Sequence, residues 1–192
     1  MIEDPMILLK LAKAGNTEAF EKLIFSHQKS VYNMAFRMLG NREDAYDASQ
    51  EVFIRVFRAL PGFREQSSLS TWIYRITKNV CLDLIRKNKK QHTVSIDQDN
   101  DYGEGPVRMQ IEDPGPAPDE TAEHNELVGK VREGIRKLPE QHRLIIIMRD
   151  MQNFSYEEIA KILRLPEGTV KSRINRARKA LRDIIEDGKE LL

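Results

Sequence analysis

Between Lys171 and Arg182 the sequence KSRINRARKALR places six basic residues, Lys171, Arg173, Arg176, Arg178, Lys179 and Arg182, with no acid among them. Guanidinium and ammonium groups at this density do not make or break bonds at neutral pH. They supply fixed positive charge and forked N–H donors, which suit phosphate oxygens and the guanine edge. Duplex DNA carries one negative charge per ~1.7 Å of axis, so such a face gains affinity by releasing counterions. A solvated cationic helix face is the plainer alternative, but like charges three or four residues apart cost a few tenths of a kcal/mol each. Bond-making chemistry has little support elsewhere. The four histidines, His27, His92, His124 and His142, are scattered, no second cysteine joins Cys81, and no glycine-rich phosphate loop occurs. Neither a metal centre nor a catalytic group is expected, and no cofactor. Cys81 reads as a small core residue.

The element that carries these cations has a clean apolar stripe. Val170, Ile174, Ala177 and Leu181 are spaced four, three and four apart, and the cations fall off that stripe. Upstream, SYEEIAKIL opens on Ser155 with Glu158 three residues on, a capping-box pattern. RLPE then interrupts, and Pro166 or Glu167 begins the last helix. A short helix, a tight turn and a second helix with a basic outer face predict a helix-turn-helix.

A second cationic stretch, FREQSSLSTWIYRITKNVCLDLIRKNKK, interleaves Phe63, Trp72 and Tyr74 with Arg64, Arg75, Lys78, Arg86 and Lys87. Aromatic stacking beside a basic groove is how unpaired bases are held, at ~1–3 kcal/mol per stacked base. Trp72, however, sits on the apolar stripe Leu69, Trp72, Ile73, Ile76, Val80 and Leu84, which favours a core role for it. Arg75, Asn79, Asp83 and Arg86 form a polar face beside that stripe.

Whole-chain charge hides this pattern, because 31 basic residues nearly balance 30 acidic ones. Residues 1–90 carry 15 basic and 10 acidic residues, residues 91–120 carry 1 and 8, and residues 121–192 carry 15 and 12. The acidic stretch is rich in Pro and Gly, so it reads as a flexible linker that cannot bury enough surface to order itself. It divides the chain into domains at 1–90 and 121–192, each of viable size. In the first, a short helix is expected over 5–14. A second runs from an Asn16 cap to Gly40, with Phe20, Leu23, Ile24, Val31, Met34 and Met38 inward. A third is capped by Asn41, has the stripe Ala45, Ala48, Val52, Val56 and Ala59, and ends at PGF. A fourth starts near Ser68 or Ser70 and ends in RKNKK. In the second domain, Leu127, Val131, Ile135 and Leu138 mark a helix weakened by Gly129 and Gly134, and Pro139 opens the next. No segment alternates with period two. The expected fold is all-α: two small helical domains, the second of four helices ending in the helix-turn-helix.

Three stretches in this order, EDAYDASQEVFIRVFRAL, STWIYRITKNVCLDLIRK and LPEQHRLIIIMRDMQNFSYEEIAKILRLPEGTVKSRINRARKAL, resemble a bacterial sigma factor of the sigma-70 family, extracytoplasmic-function (ECF) group. The resemblance covers roughly residues 18–90 and 125–183, and its ordered motifs are far more specific than the helix-turn-helix alone. It implies a subunit of RNA polymerase that recognises −35 and −10 promoter elements and helps open the latter. By that match, Lys171, Ser172, Asn175 and Arg176 read bases of the −35 duplex, while Thr169, Arg173, Arg149 and Tyr156 position it through phosphates. The −10 non-template strand, with one extruded base, meets the loop Phe63–Leu69, including Arg64, Gln66 and Ser67, and the helix face with Arg75, Lys78, Asn79 and Arg86. Asp44, Asp47, Gln50, Glu51 and Phe53 dock core polymerase, an acid-rich face suited to a basic partner. Glu43 and Asp44 also complement the helix dipole. Many relatives are held by an anti-sigma factor, which is an expected partner.

Three residues depart from the family pattern. Tyr46 stands where an acid is frequent, Ala48 where a larger aliphatic is frequent, and Arg164 occupies a turn position where Gly is common and a left-handed backbone is strained. About 30 linker residues span ~100 Å at most, and two turns of B-DNA are ~70 Å. The linker thus lets two domains reach two promoter elements; its acidity either mimics nucleic acid or keeps it off DNA. A stand-alone regulator has no need of EDAYDASQEVF. The N-terminal MIEDPMILLKLAKAG places acids before a short apolar run, the reverse of a signal peptide. With no stretch near ~20 apolar residues, no membrane insertion is expected, and a cytoplasmic protein is.

Overall fold

The computed structural model describes residues 4–94 and 122–187. The acidic linker expected over 91–120 therefore lies outside the described residues, except at its start. Two helical clusters are formed: α1 (Pro5–Lys13), α2 (Thr17–Leu39), α3 (Arg42–Ala59) and α4 (Leu69–Val94), then α5 (Ala122–Lys137), α6 (Glu140–Ile146), α7 (Tyr156–Leu163) and α8 (Glu167–Asp187). The described residues contain no strand. None of the described helices is long and apolar enough to cross a membrane.

The expected caps set the helix ends. Asn16 accepts from the Ala19 N–H at 2.8 Å, and Asn41 accepts from the Asp44 N–H at 2.7 Å. Ser68 accepts from the Thr71 N–H at 3.1 Å, which starts α4. Each cap satisfies donors that the first turn leaves without an intrahelical partner. Gly40 closes α2 in the left-handed region at φ 86°, where a Cβ would be strained. The six apolar residues expected to face inward from α2 are all buried, as are Ala45, Ala48, Val52 and Val56 of α3.

Four expectations need correction. Ala59, expected on the inner stripe of α3, is exposed, because the helix ends at it. α4 does not stop at RKNKK but continues to Val94, because nothing between Arg86 and Val94 breaks a helix. The segment after Pro139 is not one α-helix: Ile147–Met151 forms a wider π turn after α6. Leu127 is exposed at 53%, while Ile135 and Leu138 of the same stripe are buried, so α5 packs through its C-terminal half. There Gly134 has a role: a Cβ would stand 3.1 Å from Ile185 and Leu181, so its absence lets α8 approach.

The two clusters touch. α4 packs against α2 and α3 on one side and against α7 on the other. Tyr74 and Leu82, outside the expected stripe, are buried along with Ile73, Thr77 and Val80. Tyr74 meets Phe154 edge-to-face, with ring centroids 4.7 Å apart.

Candidate nucleic-acid interface

The helix-turn-helix is built from α7, a short turn and α8. Ser155 and Glu158 form the full capping box: the Glu158 N–H donates to Ser155 Oγ at 3.1 Å, and the Ser155 N–H donates to Glu158 Oε2 at 2.8 Å. Arg164 ends α7 in the left-handed region at φ 56°, ψ 50°, the conformation the sequence flagged as strained for a side chain. Val170, Ile174 and Ala177 are buried and seat α8. That seating turns Lys171, Asn175 and Arg176 outward to solvent, while Thr169, Ser172 and Arg173 are half-buried. Ser172 Oγ donates to the Thr169 carbonyl at 2.9 Å, which bonds the first turn of α8 to one of its base-reading candidates.

The π turn aims two charged residues at this unit. Arg149 donates through Nη1 to the Phe154 carbonyl at 2.8 Å, and its guanidinium lies 4.9 Å from the Tyr156 ring centroid. Stacking a cation on a ring fixes both groups at the entrance of α7. Asp150 accepts from Arg178 Nε at 3.2 Å and pairs with its Nη2 as well. The carboxylate favours the charged guanidinium, raising the Arg178 pKa. Asp150 was not singled out from the sequence, because its partner Arg178 lies on another helix and no local spacing joins them.

On the first cluster the loop Phe63–Leu69 is held in place. Phe63 is buried and packs on Trp72 at 4.9 Å between centroids, with Lys13 Nζ 5.6 Å from its ring. Lys13 also pairs with Glu65 at 2.8 Å, and Glu65 sits at φ 55°. Arg64 and Gln66 are exposed and Ser67 is half-buried. The fixing role of Lys13, contributed by α1, has no signature in sequence spacing.

Along α4, Asn79 and Arg86 are exposed and Arg75 and Lys78 half-buried. Lys78, Asn79 and Arg86 line a cleft of about 240 Å³ together with Arg173 of α8. Candidate residues from the two ends of the sequence thus come together. Burial holds the Lys78 ammonium below its ordinary range, and the charges of Arg164 and Arg75 add to the effect. Burial and then Arg164 lower the Arg75 pKa likewise.

The acid-bearing face is on α3. Asp47 and Gln50 are exposed; Asp44, Glu51 and Phe53 are half-buried. Asp44 Oδ2 accepts from Asn41 Nδ2 at 2.7 Å, and Glu51 accepts from Arg55 at 2.6 Å. Beside them α2 and α3 enclose a groove of about 1100 Å³ lined by Phe20, Ile24, Phe25, Phe53, Ile54 and Phe57. Phe25 is 75% exposed. Cys81 is fully buried and its thiol is pushed up to about 12, as a core residue's would be. Among the described residues no group of histidine, cysteine and acids is placed to hold a metal ion.

Comparison with known proteins agrees with this layout. The sigma-70 region 2 family model matches residues 23–91, and the sigma-70 region 4 model matches residues 129–181. The chain is 35% identical over 179 residues to the ECF RNA polymerase sigma factor SigW of Bacillus subtilis, covering 93% of this chain and 95% of that protein. It is 33% identical over 178 residues to the ECF RNA polymerase sigma-E factor of Escherichia coli K12, covering 91% of each. Among solved structures, CnrH in complex with the cytosolic domain of CnrY superposes with a TM-score of 0.65 at 25% identity, over 96% of this chain and 99% of CnrH. The sigma factor RpoE of Bartonella quintana, solved with the anti-sigma factor NepR, has the same fold, with a TM-score of 0.64 at 22% identity over 87% of this chain and 96% of RpoE.

Proposed function

From the premise that this chain belongs to the ECF group of sigma-70 family sigma factors, we propose a division of labour between its clusters and an assignment of residues to each. The protein binds core RNA polymerase and directs promoter-specific initiation; it is a specificity subunit and not an enzyme. In our reading the cluster before the linker (residues 1–90) docks on polymerase and opens the −10 element. The cluster after it (residues 121–192) reads the −35 duplex. The observation that carries the second part is the outward display of Lys171, Asn175 and Arg176 from the N-terminal half of α8, with the apolar stripe locked beneath. A recognition helix that contacts base edges in the major groove through its N-terminal residues needs that exposure.

For the −10 strand, Arg64, Gln66 and Ser67 from the loop and Arg75, Lys78, Asn79 and Arg86 from α4 supply charge and donors. Phe63, buried against Trp72, acts here by anchoring the loop. Ser172 belongs with the base readers Lys171, Asn175 and Arg176, while Thr169, Arg173, Arg149 and Tyr156 hold the −35 duplex in register. Asp44, Asp47, Gln50, Glu51 and Phe53 make the polymerase face, the acids meeting a basic partner and the adjoining apolar groove adding contact area. An anti-sigma factor is the further partner in this reading.

Charge reversal at the exposed Asp47 tests the docking face without touching the core. Asp47→Lys is expected to weaken core polymerase binding at least tenfold in an equilibrium titration while leaving the thermal midpoint unchanged. Wild-type affinity in that variant removes Asp47 from the interface.

A further inference from the structure

Among the described residues, one of the six α8 cations is paired with an acid. Arg178 donates through Nε to Asp150 Oδ2 at 3.2 Å, and its Nη2 pairs with Oδ1 of the same carboxylate. The bond joins two elements, since Asp150 lies in the π turn and Arg178 is 28 residues further on. A guanidinium fork against a carboxylate is the geometry in which Arg also takes a phosphate. Stability is a weak reason for the pair. The Arg178 and Asp150 side chains are 47% and 32% exposed, and an ion pair that open to water adds little.

What the pair fixes is the place of one charge. Lys171, Asn175 and Arg178 are four and three residues apart, so they share one edge of α8. The first two are assigned above to base reading. Arg178 stands further along that edge, where a recognition helix leaves the bases and passes the DNA backbone. The neighbouring guanidinium is held differently. Arg149 is bound by the Phe154 carbonyl and the Tyr156 ring, neutral partners that leave its charge whole. Tyr156 also lies within electrostatic reach of Arg178. Two guanidiniums thus flank the start of α7, one with its charge intact and one with its charge cancelled. The π turn, in which the Gln152 N–H donates five residues back to the Ile147 carbonyl at 3.0 Å, carries Arg149 toward α7 and Asp150 toward α8.

We propose that Asp150 is a specificity-determining residue of the −35 reader: its carboxylate occupies Arg178 in place of a DNA phosphate and keeps one cation out of sequence-independent binding. The proposal rests on the assignment of α8 to the −35 duplex. Specificity is the ratio of affinity for the right sequence to affinity for the others. On the right sequence, Lys171 and Asn175 fix how α8 lies and where the Arg178 side chain can reach. On other duplexes nothing fixes the pose, so a freed guanidinium finds a phosphate in many poses and raises the background. Tying Arg178 to Asp150 removes that background contact at little loss to the base-read complex.

The test compares the full chain, wild type and Asp150→Asn, on two duplexes. One is a mixed-sequence 20-base-pair duplex; the other carries the −35 element recovered by run-off transcription on randomised promoters. Asn keeps the shape of the side chain and removes its charge. On the mixed duplex Asp150→Asn should bind about five- to tenfold more tightly at 0.1 M salt, and log K should fall with log salt more steeply by about 0.9, the slope of one added phosphate contact. Discrimination between the duplexes should fall by a similar factor. Adding Arg178→Gln should return slope and discrimination to wild type. A gain that persists without Arg178 means that the acid merely repels DNA, and overturns the proposal. So does an unchanged salt slope in Asp150→Asn, or an equal gain on both duplexes. Asp150→Glu keeps a carboxylate and should match the wild-type slope. A merely structural role instead weakens binding to both duplexes and lowers the thermal midpoint, which in Asp150→Asn also overturns the proposal. Failure of the sigma-factor reading has a different signature: no shared element among the transcripts, while the salt slope on the mixed duplex still reports whether Asp150 withholds Arg178.

Discussion

At the scale of single residues, Arg164 is the plainest case of local conflict. Its backbone sits at φ 56°, where a side chain costs roughly 1–2 kcal/mol and Gly costs nothing sterically. It also adds positive charge beside Arg75 and Lys78. Arg164→Gly should therefore stabilise the protein by about 0.5–1 kcal/mol, after the greater freedom of Gly in the unfolded chain is set against the gain. Denaturant unfolding checks this, and a lower midpoint would contradict it. His27 gives a pH signature. Burial lowers its pKa, so the unfolded chain takes up a proton more readily than the folded one. Its contribution is complete above the unfolded value of ~6.5 and is lost as pH falls through the lower folded value. His27→Gln should flatten the loss of stability between pH 7 and pH 5, as read from thermal midpoints. The strain at Arg164 was legible from a turn that usually takes Gly. Lys13, which pins Phe63 and Glu65, was not, because a contact across dozens of residues leaves no local spacing.

At the scale of elements, the local rules that are strongest in sequence are the ones the structure follows. Asn16, Asn41 and Ser155 cap as their side chains dictate, the stripe of α2 is buried as spaced, and that of α8 is buried at Val170, Ile174 and Ala177 and half-buried at Leu181. α4 was legible on one face only. Its second buried face, Tyr74 and Leu82, lies eight residues apart with Lys78 midway, so a cation interrupts the apolar signal that tertiary packing completes. The π turn was hidden for another reason: Ile145, Ile146, Ile147 and Met148 are all buried, and a run apolar on every side carries no period from which to read its winding. On α8 the exposed face makes its own prediction. Arg176→Ala should weaken −35 binding by about 1–3 kcal/mol and relax discrimination at one base pair. Equal weakening on all duplexes would make Arg176 a phosphate contact. The order of binding strengths across a set of single-base-substituted −35 duplexes separates the two.

At the scale of the whole molecule, charge segregation was readable and the packing of the clusters was not. Two cationic regions flanking an acidic stretch announced two nucleic-acid surfaces. That these surfaces abut is carried by arginines donating to carbonyls on the other cluster, and main-chain acceptors have no sequence signature. The central claim is that this chain confers promoter choice on core polymerase. The most direct measurement is run-off transcription with purified core polymerase on a library of randomised promoters, with and without the protein. The account predicts transcripts that depend on the protein, start at defined positions and share two sequence elements about two helical turns apart. Transcripts unchanged by the protein, or starts with no shared upstream sequence, would contradict it.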